Sequence, residues 1–214
     1  MKKAILAVIA MLAIGPMAKA QLYVGGSIGV NTQAGKETEE GVTEKLPQTT
    51  NLNISPEVGF FLSDQFAVGA YINTAFSFGN TRATDPIKTR STQFGITPYA
   101  RYYAIQSDKF GVFLEGQVFF SHQSSKTIGG GVTVDGPKTN SFGVAIVPGL
   151  AYSLTDNIQL QMRLNVLGAH FTHTSTTSGD GKETTANNSC GLNISTQNVL
   201  GSLGGIQVGF IYKF

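Results

Sequence analysis

Apolar and polar residues alternate one for one through several stretches of this chain. Between 51 and 62 the even positions are Leu52, Ile54, Pro56, Val58, Phe60 and Leu62, and the odd ones are Asn51, Asn53, Ser55, Glu57, Gly59 and Phe61. Further on, Ile158, Leu160, Met162, Leu164 and Val166 alternate with Gln159, Gln161, Arg163, Asn165 and Leu167. Phe94, Ile96, Pro98, Ala100 and Tyr102 are likewise set against Gln93, Gly95, Thr97, Tyr99, Arg101 and Tyr103. A period of two predicts β-strands with unlike faces.

The strands recur in a plan. Ile54-Ser55-Pro56 leads to Ser63-Asp64-Gln65, Ile96-Thr97-Pro98 to Ser107-Asp108-Lys109, and Ile146-Val147-Pro148 to Thr155-Asp156-Asn157. Each unit reads as a strand, a short Asp-centred turn and a second strand, because Ser, Asp and Asn bond locally to the backbone and tolerate turn dihedrals. Three hairpins supply six strands, and Leu22 to Val30 and Ile206 to Phe214 add two. The expectation is an all-β chain, an eight-stranded antiparallel up-and-down transmembrane barrel forming one domain over 21–214. Gln33 to Thr50, Gly79 to Arg90, Lys126 to Lys138 and Thr172 to Gln197 are polar and read as long loops. Short turns at one end and long loops at the other suit an outer-membrane barrel.

Alternation alone does not say which face is inside, and a soluble cup or sandwich shows the same period. The distribution of charge favours lipid outside. Glu57, Arg101, Glu115, Arg163 and Lys213 lie on the polar face, whereas the apolar face of the eight segments carries no charge. An Arg or Lys against the lipid midplane costs about 2–4 kcal/mol. Lipid also requires a closed ring, since it cannot satisfy an open sheet edge. Carried through the turns, the pattern predicts that every lipid-facing residue has an even number.

The first 20 residues follow a different rule. Lys2 and Lys3, the apolar run Ala4 to Ile14, and Ala18-Lys19-Ala20 have the order of a secretory signal peptide cut before Gln21. Removing Lys2, Lys3 and Lys19 leaves 12 basic residues against 13 acidic ones, so charge gives no argument for nucleic acid. Cys190 is the only cysteine, which excludes an internal disulfide and a thiolate metal cluster. Its neighbours Asn187, Asn188, Ser189 and Gly191 suggest that it lies in the last loop.

The chain ends in Gln207-Val208-Gly209-Phe210-Ile211-Tyr212-Lys213-Phe214. Gln207, Gly209, Tyr212 and Phe214 resemble the terminal assembly signal read by the barrel-insertion machinery. With the repeated Ile-x-Pro strands and Asp-centred turns, the sequence resembles the small porin-like outer-membrane β-barrel family, in the broad company of OmpA and OmpX barrels. The resemblance implies a monomer in the outer membrane of a Gram-negative bacterium, with outer-membrane lipid and lipopolysaccharide as its surroundings. It implies no substrate and no cofactor.

The lumen of an eight-stranded barrel is only wide enough for its own side chains. Glu57, Tyr71, Tyr99, Arg101, Tyr103, Glu115 and Arg163 are the expected inward polar network. A turn centred on Asp108 sets Arg101 opposite Glu115. One centred on Asp156 sets Gly149 opposite Arg163, leaving room for that side chain to reach toward Glu57.

Other candidate chemistry is thin. His122, His170 and His173 fall near the loop rim, but residues three apart on a strand point to opposite faces. Gly129-Gly130-Gly131 lacks the Lys-Ser/Thr of a phosphate loop, and Glu37, Glu39, Glu40 and Glu44 read as a solvated acidic loop. No catalytic or metal-binding residue is expected. The leading function class is a structural or surface-interaction barrel, the alternatives being a narrow solute channel and a loop-based enzyme.

Overall fold

In the computed structural model, residues 21–39, 42–45, 47–81, 87–164, 167–194 and 206–214 are described. The signal peptide expected over 1–20 lies outside them. Twelve strands are formed: β1 Gln21–Gln33, β2 Lys36–Glu39, β3 Val42–Lys45, β4 Gln48–Ser63, β5 Phe66–Asn80, β6 Lys88–Gln106, β7 Phe110–Gly129, β8 Val132–Ser153, β9 Ile158–Leu164, β10 Leu167–Thr177, β11 Thr184–Ile194 and β12 Ile206–Lys213.

The hydrogen-bond register closes a ring. β1 pairs with β4, and the order runs through β5, β6, β7 and β8 to β9, then β12, which returns to β1. Every pairing is antiparallel. This is an eight-stranded up-and-down β-barrel, in which β10 continues the seventh strand beyond β9 and pairs with β8 and β11.

Even-numbered apolar residues cover the outer wall. Ile54, Ile72, Ile96, Leu114, Val144 and Ile146 are all exposed, Ile146 at 55 %. The interior instead holds Tyr23, Tyr103, Phe113 and Ile211 beside fully buried Arg101 and Glu115. Charge is inside and aliphatic surface outside, the reverse of a protein that folds in water.

Even parity fails in three places, each with a register cause, the first being the shift between Ser124 and Lys126 on β7 that pairs the odd-numbered Asp135 with outward Lys126. A bulge between Tyr103 and Ile105 turns Ile105 outward. In the seventh strand, Arg163 pairs with Gly149 but Ala169 with Ile146, so six residues cover the length that three cover on β8. An odd excess of three exchanges the faces, and Phe171 is exposed opposite Val144. Gly168 within this offset has φ +136°, and a Cβ there would run into the Ile146 carbonyl.

Much of the polar sequence expected to form loops is instead strand. β7 and β8 continue to a two-residue turn at Gly130-Gly131, whose φ values of +57° and +78° suit a hairpin twisted like its strands. β10 and β11 form a ladder from Leu167–Ile194 to Thr177–Thr184. Its turn is tied by the Ser178 hydroxyl to the Asp180 carboxylate at 2.5 Å and by the Lys182 N–H at 3.1 Å, bonds that hold the Asp180 carboxyl below its usual range. Cys190 therefore lies on β11 rather than in a loop, exposed and directly opposite Phe171.

Spin labels report these faces directly. Labels at Val58, Leu114, Leu160 and, despite its odd number, Phe171 should be relaxed by a lipid-soluble quencher in reconstituted protein. Labels at Gln117 and Gln161 should be protected. Protection of Phe171 alone would show that the offset in the seventh strand is absent.

Candidate functional site

The inward side chains converge on a charge cluster at the middle of the lumen. β4 supplies Glu57, β6 Arg101, β7 Glu115 and β9 Arg163, all buried. Arg101 and Glu115 are register partners, as are Gly149 and Arg163. A Cβ at Gly149 would overlap the Phe113 ring and approach the Met162 carbonyl to 2.8 Å, so only glycine fits beneath these groups.

Each carboxylate receives both guanidinium groups. Arg101 Nη2 donates to Glu57 Oε1 at 3.0 Å and to Glu115 Oε2 at 2.6 Å, and Nε donates to Glu115 Oε2 at 2.9 Å. Arg163 Nη2 donates to Glu57 Oε2 at 2.8 Å, and its Nε to Glu115 Oε1 at 3.0 Å. Two positive and two negative charges sum to zero within one connected set. Removing ions from water costs several kcal/mol apiece, so neutrality and full bonding decide whether the cluster is tolerable.

Aromatic and amide groups complete the shell. The Tyr99 hydroxyl donates to Glu57 Oε1 at 2.5 Å and is also bonded to the Tyr23 hydroxyl. Gln117 Nε2 donates to Glu115 Oε1 at 2.8 Å. The Arg101 guanidinium stacks 4.6 Å from the Phe113 ring centre and 4.8 Å from that of Tyr99, and Arg163 lies 4.9 Å from Tyr71. Tyr103 connects Arg101 Nη1, at 3.4 Å, to Gln159 Oε1, at 3.3 Å.

The seven residues expected in the lumen network are thus gathered on one interior surface. Tyr23, Gln117 and Gln159 also belong to it and are missing from the sequence expectation, although their odd numbers mark the same face.

The cluster divides the lumen. On the short-turn side is a cavity of about 420 Å³, lined by Tyr103, Gln106, Lys109, Gln159 and Lys213. On the long-hairpin side a cavity of about 400 Å³ is lined by Tyr71, Asn73, Gln93, Thr97, Gln117 and Phe119. Tyr71 and Gln117 floor one space and Tyr103 and Gln159 roof the other, with the four ions between.

The remaining candidates lie elsewhere. His122 Nδ1 is 2.7 Å from Asn140 Oδ1 and His173 Nδ1 is 2.8 Å from Asn188 Oδ1, while His170 faces Gly191. No group of three metal-ligating side chains occurs among the described residues. At the C-terminus, Gln207 pairs with Arg163, Gly209 with Gln161 and Ser27, and the exposed Tyr212 and Phe214 rings sit 5.1 Å apart.

No protein-family model matches the chain, and no curated protein does. Solved structures do show similarity. Neisserial surface protein A (NspA) is 13 % identical, with 92 % of this chain and 99 % of that one covered at a TM-score of 0.36. A major outer membrane protein from Thermus thermophilus is 13 % identical, with 91 % and 99 % covered at 0.45. Ail, the attachment invasion locus protein of Yersinia pestis, is 12 % identical, with 91 % and 97 % covered at 0.36. The eight-stranded architecture stands on this chain's own hydrogen-bond register.

Neutrality of the cluster sets a mutational signature. Arg101→Met should destabilise the barrel by about 3–5 kcal/mol, because Arg163 alone then faces two carboxylates and one buried negative charge is left uncompensated. Arg101→Met with Glu115→Gln should cost less than the two single changes added, since Glu57 and Arg163 remain as a neutral pair. Urea unfolding of the refolded protein in lipid vesicles measures all three, and strict additivity would mean that the four charges do not act together.

Proposed function

We propose that this protein is an outer-membrane barrel with a closed lumen, serving the envelope as a structural or surface-interaction element rather than as a pore or an enzyme. The observation that carries this reading is the neutral Arg101–Glu115–Arg163–Glu57 cluster, which fills the lumen between two separate cavities. A solute crossing the barrel would have to break buried ion pairs.

The outer wall supports the membrane placement. Exposed aromatics gather at two levels, with Tyr102, Phe110, Tyr152 and Tyr212 toward the short turns and Phe78, Phe94, Phe120 and Phe142 toward the long hairpins. Aliphatic residues such as Val118, Val144 and Ile146 lie between. Paired aromatic girdles around an apolar band are what the two interfaces of a bilayer select. A tilted strand needs only about 9–11 residues to cross, whereas β7 has 20 and β8 has 22. The surplus forms the long hairpins, which this reading puts outside the cell with the short turns in the periplasm.

Three further parts of the proposal rest on the sequence. Residues 1–20 act as a cleaved signal peptide, and the terminal Gln207, Gly209, Tyr212 and Phe214 are the signal for the insertion machinery. A monomer suffices, because one chain completes the ring.

Planar-bilayer recording tests the closed lumen. The wild-type protein should give little or no steady conductance, and Arg101→Ala combined with Glu115→Ala should raise it while lowering stability. A stable, ion-selective wild-type conductance would favour the channel reading instead.

A further inference from the structure

Charge on the outer wall is, among the described residues, confined to one place. Among the described residues of β1 and β4–β12, the outward strand positions that carry charge are Lys88 and Arg90 on β6, Lys126 on β7, and Asp135 and Lys138 on β8. All five are exposed. Register brings them together. Arg90 is directly opposite Lys126, Lys88 lies one outward position further along β6, and Lys138 pairs with Ser124, the outward neighbour of Lys126. Four cations thus face one carboxylate, that of Asp135, which stands 3.7 Å from Lys126 Nζ.

Such a grouping has a cost. Residues directly opposite on antiparallel strands have Cβ atoms about 5 Å apart, and like charges there repel. The Arg90–Lys126 pair is relieved only partly by Asp135, whose contact with Lys126 is long and more than half exposed on both sides. An anion of charge greater than one that touches Arg90, Lys126 and Lys138 together would turn the repulsion into attraction.

Position selects the kind of anion. The exposed Phe78 ring is register partner to Arg90, and Phe94, Phe120 and Phe142 lie below it toward the apolar band. A ligand on this wall meets phosphate-binding groups at the hairpin end, then the outward polar Thr92, Ser124, His122 and Asn140, and below them an aromatic and then an aliphatic surface. We propose that Lys88, Arg90, Lys126 and Lys138 form a site for the phosphorylated headgroup of an outer-leaflet lipid, with the acyl chains lying along the wall below. Lipopolysaccharide has that chemistry, a sugar-borne phosphate on an acyl anchor. The site rests on the outer-membrane reading above and adds to it a specific lipid contact.

The test uses the full mature chain refolded in neutral detergent, and purified phosphorylated lipopolysaccharide as the probe. Affinity should fall roughly 30-fold in Arg90→Ala/Lys126→Ala, given that each cation near an anionic lipid surface contributes about fivefold. Asp135→Asn should strengthen binding, since it removes the one opposing charge. Wild-type protein should bind enzymatically dephosphorylated lipopolysaccharide at least as weakly as the double variant binds the phosphorylated form, and inorganic phosphate should not compete.

Unchanged affinity in the double variant overturns the site. Full competition by inorganic phosphate overturns the lipid assignment and leaves a general anion patch. The heat-modifiable mobility of the folded barrel is read in parallel. Both variants lie on the outer wall and should keep it, so loss of lipid binding with that mobility intact reports on the patch alone. A wild type that never folds into lipid bilayers would take down the outer-membrane reading and the lipid site with it.

Discussion

Two arginines and two glutamates have to share the centre of a lumen too narrow for much else. That requirement organises the barrel. Each ion is buried, so each must find opposite charge within hydrogen-bonding distance, and the four strands that carry them must arrive in one register. A shift of one residue between β6 and β7 would send Arg101 outward and leave Glu57 and Glu115 to share Arg163 alone. The aromatic groups follow from the same constraint. Tyr23, Tyr71, Tyr99, Tyr103 and Phe113 are large enough to fill the space around the guanidinium groups, and the hydroxyls of Tyr23, Tyr99 and Tyr103 extend the bonding.

The cluster and the outer wall solve opposite problems on either side of one sheet. Within, charges are gathered so that no single one lacks a partner. Outside, the apolar band leaves charge to the hairpin end of three neighbouring strands. The alternation of side chains links the two, because each residue placed in the lumen commits its neighbours to the outer surface.

Much of this was legible in the sequence, for reasons that also explain what was not. Period-two alternation and Asp-centred turns specify pairing across each short hairpin, which is why the Arg101–Glu115 and Gly149–Arg163 partners follow from position alone. The offset in the seventh strand left no such trace. Leu164, Val166 and Leu167 form a nearly continuous apolar run, so the exchange of faces before Phe171 is hidden by residues acceptable on either side. The polar stretches were misleading for a different reason. An extended hairpin with both faces in water has no need of apolar alternation, and its ladder is carried by backbone bonds and pairs such as Thr139–Thr176 at 3.1 Å and Thr177–Thr184 at 3.2 Å. Polarity there marks where the hydrocarbon ends, not where the strand does.

Those extended hairpins have a mechanical consequence. A flexible loop of the same length would wander over the membrane surface and tend to lie down on it. A paired ladder stands up. At about 3.3 Å of rise per residue, the roughly ten residues of β7 and β8 beyond a membrane crossing carry Gly130 and Gly131 some 30 Å along the strand direction. In the outer-membrane reading, the tip is thereby kept at a set reach from the bilayer. Substitutions there that keep the positive-φ turn would leave the lumen cluster undisturbed, because a Cβ at Gly130 or Gly131 would meet nothing within 4 Å.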